Sequence, residues 1–416
     1  MNIRDIFKKL GPGLVTGAAD DDPSGIATYS QAGAQFGPTL LWTLVLTYPL
    51  MSAVQLISAR IGRVTGRGLA WNLRQVMPRW IVIVLVALLF VANTINIGAD
   101  LAAMGDAAQL VIGWGGHVFT VLFAVASLVL QVFVPYPKYA SFLKWLTLVL
   151  LAYVALVFMV KVDWLAAAKG MVVPTIAGSV AVTTVVAVFG TTISPFLFFW
   201  QASQEVEEIE QNDDRAPLIK KPRQSRTALN RIRYDTFGGM AVSNIVAIAI
   251  MLGTAATLHA SGKTDIQTAA DAAKALEPVA GKFAFALFSF GIIGTGMLAV
   301  PVLAGSSAFA IGETGNWNTG LEEKPQNAKA FYAVIAVAML LGVGIDWSPI
   351  NPIRALFWSA VVNGVVAVPI LVGTMLVVSR EAVMGDFMAG TPLRIFGWLT
   401  TGVMAAAVIG MAVFPG

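Results

Sequence analysis

The sequence contains no cysteine and only two histidines, His117 and His259, both in predicted loops or helix ends. The first absence excludes a disulfide framework and thiolate metal ligation. The second leaves little imidazole for shuttling protons near neutral pH. Charge is scarce too: 12% of residues are Asp, Glu, Lys or Arg, against roughly a quarter in an ordinary soluble domain. In its place 57% are hydrophobic, and the mean hydropathy is +0.76. This composition implies an all-α polytopic membrane protein. No nucleophile–base pair or metal-ligand spacing appears, so the pattern gives no sign of an enzyme, and no resident cofactor is expected. The N-terminus, MNIRDIFKKLGPG, lacks the apolar segment and cleavage site of a signal peptide and is read as mature protein.

A spanning helix needs about 20 predominantly apolar residues. Eleven segments qualify, near 14–36, 39–59, 81–105, 117–136, 139–160, 179–203, 234–258, 282–311, 328–345, 353–378 and 392–414. With the N-terminus inside, 21 of the 27 lysines and arginines fall on cytoplasmic segments. Only Lys161, Lys169, Lys263, Lys274, Lys282 and Arg354 fall outside. The positive-inside rule therefore puts the N-terminus in the cytoplasm and the C-terminus outside. This bias also explains the basic pI of about 9.2, and no nucleic-acid partner is expected. The longest inside connection, residues 205–233, has an acidic half and a basic half and reads as a solvated amphipathic loop or helix. Trp42, Trp80, Trp114, Trp164 and Trp347 cluster near span ends, as interfacial anchors do.

Two spans carry breaks. The first reads AADDDPSGIATYSQAGA (Ala18–Ala34), and the sixth reads FGTTISPFLFF (Phe189–Phe199). Proline cannot donate to a helix ladder, and it pushes the preceding residue, here Asp22 or Ser194, out of the helical region. Paired interruptions in corresponding positions mark the site of transporters built from inverted repeats. Five spans separate the two breaks, which suits a five-plus-five repeat. Repeat one would cover about 10–160 and repeat two about 178–380, with an extra helix at about 391–414, all in one domain over 1–416. The C-terminal end of each first half-helix directs partial negative charge at the site, which suits a cation.

Asp22 is the leading candidate ligand, direct or through water, with the Thr191 backbone carbonyl beside it. Successive helical residues point about 100° apart, so Asp20, Asp21 and Asp22 cannot all face one ion if the segment is helical. Asp20 and Asp21 are candidates for the inner vestibule or for capping freed amides. Gln201, Asn93, Asn96 and Asn363 could order a hydrated ion's outer waters or serve as interhelical glue. Asp100 and Asp106 are placed near the outer end of the third span, within reach of water. The glycines of GIIGTGMLAVPVLAG in the eighth span suggest close packing or a bend.

At the breaks the chain resembles the NRAMP family of divalent-metal transporters, whose fold is LeuT-type. That family's first helix carries Asp-Pro-Gly-Asn and then Gln-Ala-Gly-Ala. The matching residues here are Asp22-Pro23-Ser24-Gly25 and Gln31-Ala32-Gly33-Ala34. The opening GPGLVTGAA (Gly11–Ala19) and RIRYDT (Arg231–Thr236) are also family-like, and Gly190 to Phe196 falls on its Gly-Ala-x-x-Met-Pro-His. The departures are specific. The family's metal-binding asparagine falls on Gly25 and its methionine on Ser194. Its sixth-helix histidines fall on Phe196 and Gln201, and its third-span acids fall around Asn93 to Ala99, with Asp100 kept. By this alignment Gly25 and Ser194 line the site.

Loss of the thioether favours hard cations, and magnesium holds its waters tightly. The pattern therefore resembles the NRAMP-related magnesium transporter branch. It implies Mg²⁺ with Mn²⁺ also accepted, no obligatory proton coupling, a monomer, and a bacterial inner membrane as its location. Three readings compete: a proton-coupled Mn²⁺/Fe²⁺ transporter with a divergent site, a LeuT-fold carrier of an organic substrate, and a non-transporting cation sensor.

Overall fold

All regular structure among the described residues is helical. The computed structural model describes residues 12–134, 147–212 and 214–414. Arg4, Lys8, Lys9, Gly11, Lys138 and Lys144, and the first part of the predicted span at 139–160, lie outside the described residues.

The helices in chain order are α1 (Pro12–Asp20), α2 (Pro23–Phe36), α3 (Leu41–Thr65), α4 (Arg79–Ile112), α5 (Gly116–Phe133), α6 (Leu151–Met159) and α7 (Trp164–Val172). They continue as α8 (Gly178–Thr192), α9 (Pro195–Glu210), α10 (Ser225–Thr254), α11 (Ala284–Gly315), α12 (Lys329–Ile345), α13 (Pro352–Val378) and α14 (Thr391–Val413). Eight helical stretches among the described residues are long and apolar enough to cross a membrane. The number is nine if α6 and α7, which turn by 120° at their junction, make one span. One stretch, Pro23–Thr65, holds both α2 and α3 in 43 residues, and α12 has only 17 residues. The chain is a multi-span membrane protein.

Both breaks fall two residues wide, immediately before a proline at the first helical position. Asp21 and Asp22 separate α1 from α2, and Ile193 and Ser194 separate α8 from α9. Asp22 (φ −69°, ψ 171°) and Ser194 (φ −74°, ψ 130°) are both extended, the conformation a following proline imposes.

Helix α4 lies at the centre, packed against α5, α11, α12 and α13. The glycines of α11 serve packing: a Cβ on Gly296 would lie 2.4 Å from the Met104 sulfur, and one on Gly305 2.8 Å from the Trp200 ring. Helix α1 lies against α10, where a Cβ on Gly17 would lie 2.4 Å from the Gly239 carbonyl oxygen. Helix α7 was not anticipated from the sequence. It folds onto the turn after α2, with Gly170 against Pro38, and leaves Leu165 and Val172 exposed.

The 205–233 connection is less of a solvated loop than its composition suggests. Its acidic half continues α9, and its basic half begins α10. Between them the chain is tied to the end of α3. The Arg63 guanidinium donates to the Ala216 carbonyl (3.0 Å) and Gln224 (2.9 Å), and the Leu218 amide donates to the Arg63 carbonyl. Arg231 pairs with Glu205 and Glu208 at 2.5 and 2.6 Å. Trp80, Trp114, Trp164 and Trp347 are exposed, whereas Trp42 is partly buried with its ring edge-to-face on Phe189.

The closest approach of helix backbones near the second break is Gly190 of α8 against α13. A Cβ there would lie 2.0 Å from the Ala360 carbonyl oxygen. Gly190→Ala is expected to cost about 1–3 kcal/mol by overpacking and to lower the unfolding temperature in detergent. Gly238→Ala, where nothing lies within 4 Å, is expected to leave it unchanged or raise it slightly, since alanine is the better helix former.

Candidate functional site

The site is built where the two breaks meet. Unwinding at Asp22 leaves the first amides of α2 without partners, and the Asp22 carboxylate supplies one. Its Oδ1 accepts from the Gly25 amide at 2.7 Å and from the Ser24 hydroxyl at 2.7 Å. Such side-chain capping of a helix start is a general preference of aspartate. Its Oδ2 accepts from the Asn96 side-chain amide of α4 at 3.0 Å. That same amide donates to Asp100 Oδ2 at 3.2 Å, so one NH₂ bridges two buried carboxylates. The Asn96 oxygen accepts from the Asn363 amide of α13 at 3.4 Å. Asp22, Asn96, Asp100 and Asn363 are thus one connected, buried group spanning α2, α4 and α13.

The second break is organised in the opposite sense. Ser194 makes no cap to α9. Its hydroxyl turns back to the carbonyls of Gly190 (2.7 Å) and Thr191 (2.8 Å), the freed end of α8. A carbonyl oxygen has two lone pairs, so the Thr191 carbonyl keeps acceptor capacity. The Thr191 hydroxyl is buried beside Tyr29 and Gly25.

Gly25 joins the two breaks. A Cβ on it would lie 3.2 Å from the Thr191 hydroxyl oxygen and 3.4 Å from the Asp20 carbonyl oxygen. Gly25 is thus packed closely between the ends of α1 and α8 and the Tyr29 ring, and a side chain there would crowd all three.

Asp20 and Asp21 point elsewhere. Both carboxylates lie against the Ser243 hydroxyl of α10, at 2.7 and 3.1 Å. The aspartate triplet is split, with one carboxylate toward α4 and two toward α10. Gln201 on α9 accepts from Thr16 of α1 at 2.5 Å and so ties α1 to α9. The Asn93 amide reaches the Leu303 carbonyl, Ser306 and Ser307 on α11, a structural tie.

One expectation is overturned. Asp100 is not at a water-exposed outer end; it is fully buried and bonded to Asn96. Helix α4 runs seven residues beyond its expected end at 105, which places Asp100 well inside it. Among the described residues no group of three or more His, Asp or Glu side chains is arranged to hold a metal ion. The two histidines stand apart: His117 pairs with Asp346 at 2.6 Å, and His259 bonds the Ala34 carbonyl near the end of α2.

The family model described as natural resistance-associated macrophage protein-like (Nramp) matches residues 13–413. The chain belongs to the Nramp family. Membership makes it a transporter and not an enzyme. The divalent metal cation transporter MntH of Klebsiella pneumoniae is 27% identical to it over 409 residues, 95% of this chain and 92% of the relative. MntH of Pectobacterium carotovorum is 30% identical over 302 residues, 70% of this chain and 69% of the relative. In fold this Nramp chain is similar to a crystal structure of the Eremococcus coleocola manganese transporter, with a TM-score of 0.74 at 16% identity, covering 97% of this chain and 86% of the other. It is also similar to Mhp1, a nucleobase-cation-symport-1 family transporter, with a TM-score of 0.58 at 14% identity, covering 98% and 94%.

Sequence reasoning missed two participants in this Nramp site. Ser243 lies in the second half of the chain, with no local signal to pair it with Asp20. Ser24 sits between Pro23 and Gly25 and was passed over. The Asn96–Asp100 pair did carry a signal, since residues four apart share one face of a helix.

Asn96→Leu removes the amide between Asp22 and Asp100 and leaves the Asn363 amide unpaired. The expected cost is about 1–3 kcal/mol for each polar group orphaned, read as a lowered thermal unfolding midpoint in detergent. A midpoint equal to that of the unsubstituted protein would show that Asn96 does not hold the group together.

Proposed function

We propose that this Nramp protein carries a divalent metal cation, Mg²⁺ foremost and Mn²⁺ as well, across a bacterial inner membrane. The ion is bound partly hydrated between the two broken spans, at Asp22 and the Thr191 carbonyl, with Gly25 and Ser194 lining the space. The observation that carries this reading is the donor set. The polar side chains gathered there, Asp22, Thr191 and Ser194 with Asn96, Asp100 and Asn363 beside them, offer oxygens and amides, and neither histidine is among them. Asp22 offers its carboxylate to donors from Ser24, Gly25 and Asn96, and in this reading an ion or a metal-bound water takes the place of one of them. Waters on a hydrated ion are donors and need acceptors. Asn363 Oδ1, buried with no partner within the protein, is one such acceptor. Hard cations that shed water reluctantly suit such a site.

The relatives named divalent metal cation transporters support the ion class, and the missing thioether supports magnesium within it. Proton coupling is not obligatory in this reading, because His117 and His259 lie off the site. The membrane arrangement proposed is eleven spans in a five-plus-five repeat, about 10–160 and 178–380, with α14 as the extra helix and the N-terminus inside. Asp20 and Asp21 line the inner approach. On the other side, a cavity of about 560 Å³ between α2, α8 and α13, lined by Gln31, Gln35, Thr184, Asp265 and Arg354, reaches Ala27, two residues from Gly25. This suits an outer vestibule.

Uptake of Mg²⁺ and Mn²⁺ into proteoliposomes is expected to fall at least tenfold in Asp22→Ala, while Asn93→Ala keeps the ion preference of the unsubstituted protein. Amino-acid uptake without divalent-metal flux would overturn the reading. A pH dye inside the same vesicles is expected to stay constant during metal uptake, and Asp22-dependent acidification would establish coupling.

Ser194→Met restores a thioether at the second break. It is expected to shift competition toward Mn²⁺ and Cd²⁺ over Mg²⁺ by about an order of magnitude, the direction set by ligand softness. An unchanged ratio would remove Ser194 from the site.

A further inference from the structure

A second groove, of about 570 Å³, lies between α3, α10 and α14, away from the breaks. It extends along α3 from Pro49 to Arg60. At 1.5 Å per residue that is about 16 Å, close to one leaflet of a bilayer whose hydrocarbon core is about 30 Å thick. Its walls are apolar, including Leu56, Phe237, Leu393 and a substantially exposed Phe396. Two guanidiniums, Arg60 and Arg233, stand at one end, and no carboxylate lines the groove. Arg60 is oriented by its Nε, which donates to the Phe387 carbonyl at 2.8 Å. That bond leaves both terminal nitrogens of the guanidinium for another acceptor. Tyr48 supports the Phe237 side by an edge-to-face ring contact.

We infer that this groove binds one anionic phospholipid, with its phosphate between Arg60 and Arg233 and an acyl chain along Leu56, Phe237 and Phe396. Charge complementarity selects the occupant. Two positive groups without a neighbouring acid favour a net-negative headgroup, and arginine matches phosphate oxygens bidentately. A zwitterionic lipid would bring a positive group to a place with no acid to receive it. Basic pockets between membrane helices commonly take anionic headgroups. With the N-terminus inside, the lipid belongs to the cytoplasmic leaflet, but its binding is independent of which ion is carried.

The test uses the full chain, purified in detergent and delipidated, with phosphatidylglycerol and phosphatidylcholine added in competition and read by native mass spectrometry. Phosphatidylglycerol is expected to be retained at least tenfold over phosphatidylcholine, and the preference is expected to fall toward parity in the Arg60→Gln/Arg233→Gln double variant. Because Arg60 also holds the Phe387 carbonyl, Arg233→Gln alone is measured too and is expected to lose at least threefold. Lys324→Gln, exposed and outside the groove, is expected to leave the lipid preference unchanged. Equal retention of both lipids by the unsubstituted protein, or an undiminished preference in Arg233→Gln, would overturn the proposal. Displacement of the lipid by millimolar glycerol phosphate would assign the arginines to a soluble phosphate instead and overturn it as well.

Discussion

A proline placed at the first position of a half-helix imposes an extended residue before it, and this protein does so twice, at Pro23 and Pro195. Each break frees carbonyls on one side and amides on the other, deep inside a molecule that holds little polar material. Those groups need partners, because orphaned backbone polarity in an apolar interior costs several kcal/mol. The two breaks resolve this in opposite ways. Asp22 reaches forward to the start of α2, while Ser194 reaches back to the end of α8. The two breaks adjoin at Gly25, which lies against both the Thr191 hydroxyl and the Asp20 carbonyl.

Asp22 lies at such a depth with donors from Ser24, Gly25 and Asn96 directed at its carboxyl group. Asn96 does more than one donor's share, since its two amide hydrogens serve Asp22 and Asp100 together. Asp20 and Asp21 belong to a different structural problem. They close on Ser243 of α10, beside the tight contact between Gly17 and Gly239, while Thr16 reaches Gln201 on α9. Helix α1 is therefore held to α9 and α10 by small residues and a few hydrogen bonds. A movement of α1 away from α9 and α10 would break these few bonds together and leave the Asp22–Asn96 link on α2 intact.

Much of this was legible in the sequence, for physical reasons that differ by element. Most of the long helices, though not α7, followed from the length of apolar runs, and the breaks from proline chemistry, which acts on the adjacent residue whatever the tertiary context. The aspartates divide for a reason other than the 100° step of a helix, since Asp21 and Asp22 lie in the break between α1 and α2. What the sequence left open is which distant element each polar side chain meets. Nothing local ties Ser243 to Asp20, residues more than two hundred positions apart. Asp100 was misplaced because α4 continues to Ile112, where the apolar pattern alone offers no stop before Gly113. The fold of 205–233 onto α3 depends on Arg63 meeting backbone carbonyls, contacts that composition does not encode.

The position of missing side chains carries as much chemical information as the residues present. A direct-ligand site for a soft ion concentrates sulfur or nitrogen donors at short range, and such a site selects by bond character. The junction in this protein instead disperses oxygen and amide groups over α2, α4, α8 and α13. In the function proposed above, a bare ion at Asp22 could not reach all of them at bonding distance, but its waters would extend the reach of the charge by one hydrogen bond. Selection would then fall on the size and stability of the hydrated ion rather than on donor softness. On that reading the lack of a side chain at Gly25 and of a thioether at Ser194 act in the same direction, since neither supplies a ligand that would replace the ion's water.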